Sequence, residues 1–142
     1  NIFCDNPAGE LRPKVFRMSD EKYVLVVEDD PFYSKIYKTK LAKERILSEI
    51  VGNGNDALRV SRERRPGLIL LDLIMPGKDG FETLAELKAD DSLRDVPVVV
   101  LSNLSQEEDV RRIMELGAVE YLIKANVPIQ EVVSKVRMHL GV

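Results

Sequence analysis

Five short apolar segments, separated by longer amphipathic ones, are the feature that most restricts how this chain can fold. They are rich in valine, isoleucine and leucine, and several lack alternating polar residues, which is typical of strands covered on both faces. They occupy residues 23–27, 46–51, 68–71, 96–101 and 119–123. Strands that alternate with helices predict right-handed βαβ crossovers, and so an α/β fold whose parallel sheet carries helices on both faces.

The intervening segments carry helix start and stop signals. Asp30 before Pro31 is expected to cap the first helix, and Gly117 is expected to end the fourth. Two pairs have capping-box spacing: Asp79 with Glu82, and Ser105 with Glu108. The second helix is predicted at about residues 55–64, and apolar residues at helical period predict a last helix over 129–140.

Composition excludes several classes of protein. The chain has 142 residues and 44% hydrophobic content, which suits one domain. We assign residues 22–142 to it and residues 1–21, which lack any period, to a tail or linker. One cysteine, Cys4, and one histidine, His139, exclude a disulfide or a zinc cluster within the chain. A net charge of −3 argues against direct nucleic-acid binding.

No stretch of the sequence has the length and apolar character of a membrane span, and none has the order of a secretion signal. We therefore expect no membrane contact and a cytoplasmic location.

Polar side chains follow four of the five predicted strands. Glu28 and Asp29 follow the first strand, Asp72 the third, Ser102 the fourth and Lys124 the fifth. Taken singly, each would be read as a turn, cap or surface residue. Because the carboxyl ends of parallel strands lie at one edge of the sheet, where such folds bind ligands, we expect these groups to converge.

Converging carboxylates need a cation. Two like charges about 4 Å apart repel by roughly 4 kcal/mol at an effective dielectric constant of 20. A hard divalent ion that prefers oxygen ligands, such as Mg²⁺, would relieve this repulsion. Mg²⁺, an ammonium group and a carboxylate nucleophile together suit the binding and transfer of a phosphoryl group.

Four segments at these positions resemble the receiver domain of two-component response regulators: "VLVVEDDP", "LILLDLIMPGKDGFE", "PVVVLSNLS" and "GAVEYLIK". They occur in the family's order and spacing. The resemblance implies a flavodoxin-like, doubly wound sheet of five parallel strands in the order 2-1-3-4-5, with five helices on two faces.

The resemblance also implies a metal site. Asp72 would be the phosphoacceptor. Asp29 would bind Mg²⁺ directly, Glu28 would act through water, and the backbone carbonyl of Ile74 would complete the protein's ligands.

Three further roles follow from the resemblance. Ser102 would be the switch hydroxyl that bonds the phosphoryl group after transfer. Lys124 would pair with the phosphoryl group, and Tyr121 would be the aromatic residue that turns inward when Ser102 moves.

The sequence departs from the family pattern at three places. Asn103 replaces the usual small residue after the switch hydroxyl and is expected to narrow access to the site. Ala125 follows Lys124 where the family usually has a proline with a cis bond. Ile74 and Leu104 lie two residues after the phosphoacceptor and the switch hydroxyl, and neither can orient a water molecule, which predicts slow self-dephosphorylation.

The expected function is signal transduction by reversible phosphorylation of Asp72, with a histidine kinase or phosphotransfer protein as donor. A downstream protein would bind the face around helix four, strand five and helix five. We expect no turnover on an external substrate. Two alternatives remain open: a degenerate receiver that only binds proteins, and a phosphoaspartyl hydrolase, which is disfavoured because Ile74 occupies the position of the hydrolases' second acid.

Overall fold

The computed structural model describes residues 3–5, 11–13 and 22–142. Strands β1 (Phe3–Asp5) and β2 (Leu11–Pro13) pair antiparallel as a small separate sheet. The sequence gives no sign of this pairing, because neither segment has an apolar period. Residues 1–2, 6–10 and 14–21 lie outside the described residues, and the assignment of 1–21 to a tail or linker stays a prediction.

Five parallel strands form the main sheet, in the order β4-β3-β5-β6-β7. Counted along the chain within this sheet, that order is 2-1-3-4-5, so the predicted topology is confirmed. The strands are β3 (Val24–Val27), β4 (Ser48–Val51), β5 (Leu68–Leu71), β6 (Val98–Ser102) and β7 (Glu120–Ile123). Every residue of β3, β5 and β6 is buried, which explains why these segments lack polar alternation.

Five helices connect or follow these strands: α1 (Pro31–Lys43), α2 (Gly54–Glu63), α3 (Gly80–Ala89), α4 (Glu107–Leu116) and α5 (Ile129–Leu140). None of the helices in the described part of the chain is both long and apolar enough to cross a bilayer.

The helices cover the sheet in two layers, each with its own apolar cluster. On one face, side chains of α2, α3 and α4 such as Leu84 and Ile113 pack on alternate strand residues that include Leu71. On the other face, side chains of α1 and α5 such as Leu41 pack on the remaining strand residues, including Leu70. The central strands are therefore fixed from both sides.

Two of the three predicted helix-start signals are confirmed. The Asp30 carboxylate accepts a hydrogen bond from the Phe32 N–H at 2.8 Å, and the Asp79 carboxylate accepts one from the Glu82 N–H at 2.9 Å. The capping box predicted at Ser105 is wrong. Helix α4 begins at Glu107 and its N-cap is Gln106, whose side chain makes no capping bond, so Ser105 lies before the helix.

The predicted helix end at Gly117 is also confirmed. Its φ of +111° is a left-handed conformation that favours glycine, and its N–H closes the last turn of α4.

Candidate functional site

Three carboxylates meet at the carboxyl ends of β3 and β5. These strands are neighbours with Val27 aligned to Leu71, so Glu28 and Asp29 leave one strand beside Asp72 of the other. One oxygen atom from each acid lies within 4.8 Å of the others. Glu28 is 3% exposed and Asp72 is 7% exposed, whereas Asp29 faces solvent.

Lys124 joins this group from the end of β7. Its Nζ lies 3.2 Å from Oδ2 of Asp72 and also forms an ion pair with the Glu28 carboxylate. The residue is 9% exposed, so the ammonium group is held between two carboxylates with little access to water. The sequence places Lys124 at this edge, and the structure brings it into contact with both acids.

Burial and nearby charges shift the pKa values of Glu28 and Lys124. Burial and, after it, the neighbouring Asp72 raise the pKa of Glu28 to about 7, against the opposing effect of Lys124. Burial alone would lower the pKa of Lys124, but its bonds and charge interactions with Glu28 and Asp72 outweigh that effect and raise its pKa. The ammonium group therefore stays protonated, and one positive charge faces three acids.

The chemistry of these groups fits a divalent cation that prefers oxygen. Within the described residues this is the one cluster of three acid, histidine or cysteine side chains that could hold a metal ion. All of its side-chain ligands are carboxylates, the donors that Mg²⁺ selects. Ile74 lies at the same site, where its N–H donates to Oδ1 of Asp72 at 3.3 Å. The part assigned to its carbonyl group stays a prediction.

Ser102 and Tyr121 are connected through the loop that follows β6. Ser102 is fully buried, and its hydroxyl accepts a hydrogen bond from the Leu104 N–H at 3.3 Å. The Tyr121 hydroxyl donates to the carbonyl oxygen of Leu104 at 2.6 Å. Both backbone groups of Leu104 are thus bonded to side chains that the sequence singles out.

A cavity of ≈ 460 Å³ opens over Asp72 and Lys124. Ile74 and Asn103 are in its wall, as expected from their positions, whereas Leu104 is not among its lining residues. Ile74 is 57% exposed, so the wall of the cavity includes an apolar side chain that also faces solvent. The complete lining is Asp29, Asp30, Pro31, Tyr33, Asp72, Ile74, Asn103 and Lys124.

Tyr33 is a site residue that sequence reasoning misses. Its spacing from Tyr37 predicts simple packing, and the two rings do stack with centroids 6.0 Å apart. The Tyr33 ring also lies over the Lys124 ammonium, 4.3 Å from its centroid, which is a cation–π contact. The start of α1 at Pro31 gives the available signal, since it puts Tyr33 in the first turn beside the strand ends.

The Lys124–Ala125 peptide bond is trans, like the other peptide bonds of the described residues. Lys124 thus reaches the acids without the cis bond that the family usually has here. The N–H of Ala125, which a proline would lack, donates to Oδ1 of Asn103 at 2.7 Å.

Residues 24–137 match the family model of the response regulator receiver domain. The chain belongs to this family. It is a receiver domain of a two-component response regulator, and its acidic edge is where receivers typically bind Mg²⁺.

Among curated relatives, this receiver is 38% identical over 117 residues to the DNA-binding response regulator MtrA of Mycolicibacterium smegmatis, covering 82% of this chain and 50% of MtrA. It is 33% identical over 103 residues to the probable C4-dicarboxylate response regulator DctR of Bacillus subtilis, covering 71% and 45%. The receiver therefore spans about half the length of the relatives that it matches.

Solved receiver structures are similar over most of the chain. The BeF3-activated receiver domain of Klebsiella pneumoniae RstA superimposes with a TM-score of 0.76 at 28% identity, covering 84% of this chain and 98% of that one. The receiver domain of a signal transduction histidine kinase from Syntrophus aciditrophicus gives 0.77 at 34% identity, covering 84% and 90%.

Proposed function

We propose that this receiver accepts a phosphoryl group on Asp72 in a reaction that requires Mg²⁺, and that the phosphoryl group alters a partner-binding face. The observation that carries the proposal is the convergence of three acids and a buried lysine at one cavity. A purely structural ion pair would not need the second and third carboxylates, which repel each other.

In the proposed reaction, a carboxylate oxygen of Asp72 attacks the phosphorus atom of a phosphohistidine or of a small phosphodonor. A new P–O bond forms while the bond from phosphorus to the donor breaks, and the electron pair leaves with the donor atom. The product on the protein is an acyl phosphate. Mg²⁺, when bound, supplies positive charge to the oxygens of the transferred group.

Residues of the chain would hold the metal and balance the charge of the phosphoryl group. Asp29, Glu28 and Asp72 would hold the metal, with the Ile74 carbonyl as a further ligand. Lys124 already lies 3.2 Å from Asp72, so its ammonium group can balance the charge of the phosphoryl oxygens without moving far. Glu28, which forms an ion pair with Lys124, would hold the metal through water.

Ser102 and Tyr121 would transmit the change. The Ser102 hydroxyl would exchange its bond with the Leu104 N–H for one with the phosphoryl group. Because Tyr121 is bonded to the Leu104 carbonyl oxygen, this exchange would also change the contacts of Tyr121. This shifts the population between two arrangements of the loop. We propose that a downstream protein binds the face formed by α4, β7 and α5 and distinguishes the two.

The partners that we propose are a histidine kinase or phosphotransfer protein as donor and a downstream protein as reader, with no direct contact to nucleic acid by this domain. MtrA is described as DNA-binding, but only half of its length matches this chain. Receivers in general do not turn over external substrates, and we expect none here. A hydrolase remains disfavoured, because exposed Ile74 offers no acid or base.

Labelling with acetyl phosphate tests the proposal. In the presence of Mg²⁺ the wild type should gain the mass of one phosphoryl group, and Asp72→Asn should gain none. Asp91→Asn, an 88% exposed acid in a surface ion pair, is the matched control and should label normally. Labelling of Asp72→Asn would refute the assignment, and no labelling of the wild type would favour the degenerate receiver.

A further inference from the structure

The side chain of Asn103 joins the loops that carry Ser102 and Lys124. Its Oδ1 accepts a hydrogen bond from the backbone N–H of Ala125 at 2.7 Å. Asn103 directly follows Ser102, and Ala125 directly follows Lys124. This one bond therefore connects the residues next to the two groups that would both contact a phosphoryl group.

The bond lies just beyond the end of the pairing between β6 and β7. Ser102 is aligned with Ile123, and the Lys124 N–H donates to the carbonyl oxygen of Ser102 at 3.0 Å. Ala125 lies in the turn that follows β7, where the Asn126 N–H donates to the Ile123 carbonyl oxygen at 2.9 Å. The carbonyl oxygen of the Asn103 side chain thus accepts a hydrogen bond from this turn.

A second bond holds the same loop to β7. The Tyr121 hydroxyl donates to the Leu104 carbonyl oxygen at 2.6 Å, so both residues after Ser102 are bonded to β7 or to the loop that follows it. The Asn103 bond differs because it depends on two residues that depart from the family pattern. A proline at position 125 has no N–H to donate, and a small apolar residue at position 103 has no acceptor.

We propose that Asn103 is a positioning residue for the phosphoryl site, and that its bond to Ala125 makes Ser102 and Lys124 approach the phosphoryl group as one unit. The proposal rests on the function proposed above. Asn103 acts through the backbone of the lysine loop, so it should affect the binding of a phosphoryl group more than the binding of the metal.

Beryllofluoride, a mimic of the phosphoryl group, allows a direct test by titration calorimetry in saturating Mg²⁺. Asn103→Ala should bind it about fivefold more weakly than the wild type, because a lysine loop without this bond has to be ordered when beryllofluoride binds. Asn126→Ala removes an exposed amide from the same loop and should match the wild type. Mg²⁺ affinity without beryllofluoride should be equal in all three proteins. Equal beryllofluoride affinity, or a parallel loss of Mg²⁺ affinity, would overturn the proposal.

A double-mutant cycle tests whether the effect passes through the Ala125 N–H. Asn103→Ala should cost about fivefold in the wild type and nothing further in Ala125→Pro, because the same bond cannot be lost twice. This comparison holds even where Ala125→Pro weakens binding for other reasons. A fivefold cost in both backgrounds would show that Asn103 acts by another route.

Hydrogen exchange of the Ala125 amide, followed by NMR, tests the movement as a unit. Exchange should be slower in the wild type than in Asn103→Ala, both without and with beryllofluoride. Loss of protection on beryllofluoride binding would refute the proposal, because the bond would then belong to one state only. If the wild type fails to bind beryllofluoride, the proposed function fails as well; if it binds and Asn103→Ala costs nothing, only the present inference fails.

Discussion

Among single residues, the stability of the fold is expected to depend strongly on the charge of Lys124. It is a nearly buried cation that contacts two nearly buried carboxylates and an aromatic ring. Removing one partner from a buried ion pair costs more than the pair contributes, because the remaining charges lose their compensation in a poorly solvated place. Glu28 and Asp72 would be those charges.

Lys124→Ala should therefore lower the free energy of unfolding by about 2 kcal/mol in the absence of divalent cations. Added Mg²⁺ should restore more stability to this variant than to the wild type, because the ion replaces the missing positive charge between the acids. Urea unfolding with and without Mg²⁺ measures both effects. Lys40→Ala, which breaks a half-exposed pair with Glu44, is the control, and Mg²⁺ should leave its deficit unchanged. Equal Mg²⁺ effects in both variants would contradict the prediction.

At this scale we also expect Ile74 to govern the lifetime of a phosphoryl group on Asp72. It lines the cavity and is 57% exposed, and its apolar side chain cannot orient a water molecule there. We expect a half-life of minutes or longer for the phosphorylated protein in Mg²⁺, and a several-fold shorter one for Ile74→Asn. Phosphate-affinity gels can follow the decay. Val119 is an exposed apolar position outside the cavity wall, so phosphorylated Val119→Asn should lose its phosphoryl group as slowly as the wild type. A wild-type half-life of seconds would contradict the prediction of slow self-dephosphorylation.

Helices and strands are predicted correctly from the sequence wherever a local sequence pattern determines the structure. Apolar runs locate all five strands of the main sheet to within two residues, because burial on both faces demands them. The N-terminal pair β1–β2 has no such signal. The cap predicted at Ser105 is wrong although the sequence has the spacing S-x-x-E, because the helix begins two residues after Ser105.

The sequence predicts which residues lie at the site, but it does not predict which of them are in contact. Strand ends bring Glu28, Asp29, Asp72 and Lys124 together, so topology alone determines their neighbourhood. Which of them touch depends on side-chain packing across 96 and 52 positions of the chain, which no local pattern encodes. The contact of Tyr33 with Lys124 is likewise set by how α1 lies on the sheet.

The confirmed cap at Asp79 and the wrong one at Ser105 lead to different expectations for stability. Asp79→Ala should cost about 1 kcal/mol, since its carboxylate satisfies the Glu82 N–H at the start of α3. Ser105→Ala should change stability by less than about 0.5 kcal/mol, as expected for an exposed residue without a structural role. Chemical denaturation of both variants decides the matter. A similar cost at both positions would mean that Ser105 caps α4 in solution.

At the scale of the whole molecule, we expect the carboxylate of Asp90, which links two helices, to make stability depend on pH. Asp90, at the end of α3, accepts hydrogen bonds from Ser92 and from Arg62 of α2, which lower its pKa to about 2. A group whose pKa is lowered by folding stabilises the fold above its unfolded pKa of about 4. That contribution is lost as the pH falls towards 2.

Asp90→Asn should accordingly be less stable than the wild type at neutral pH, and the difference should shrink between about pH 4 and pH 2. Urea unfolding across this range measures the difference. Asp91→Asn, which alters a largely exposed pair with Arg94, should track the wild type more closely at every pH. A difference between wild type and Asp90→Asn that stays constant down to pH 2 would show that the Asp90 charge is not what matters.

The two apolar clusters on opposite faces of the sheet have a consequence for how such a chain can evolve. Leu84 and Ile113 belong to one cluster and Leu41 to the other, with the strands between them. A change of volume in one layer is absorbed by its own neighbours, because the opposite layer meets only the far side of each strand. A lineage could thus remodel the α4 side for a new binding partner while the unchanged α1–α5 side keeps Asp72 beside Glu28 and Lys124.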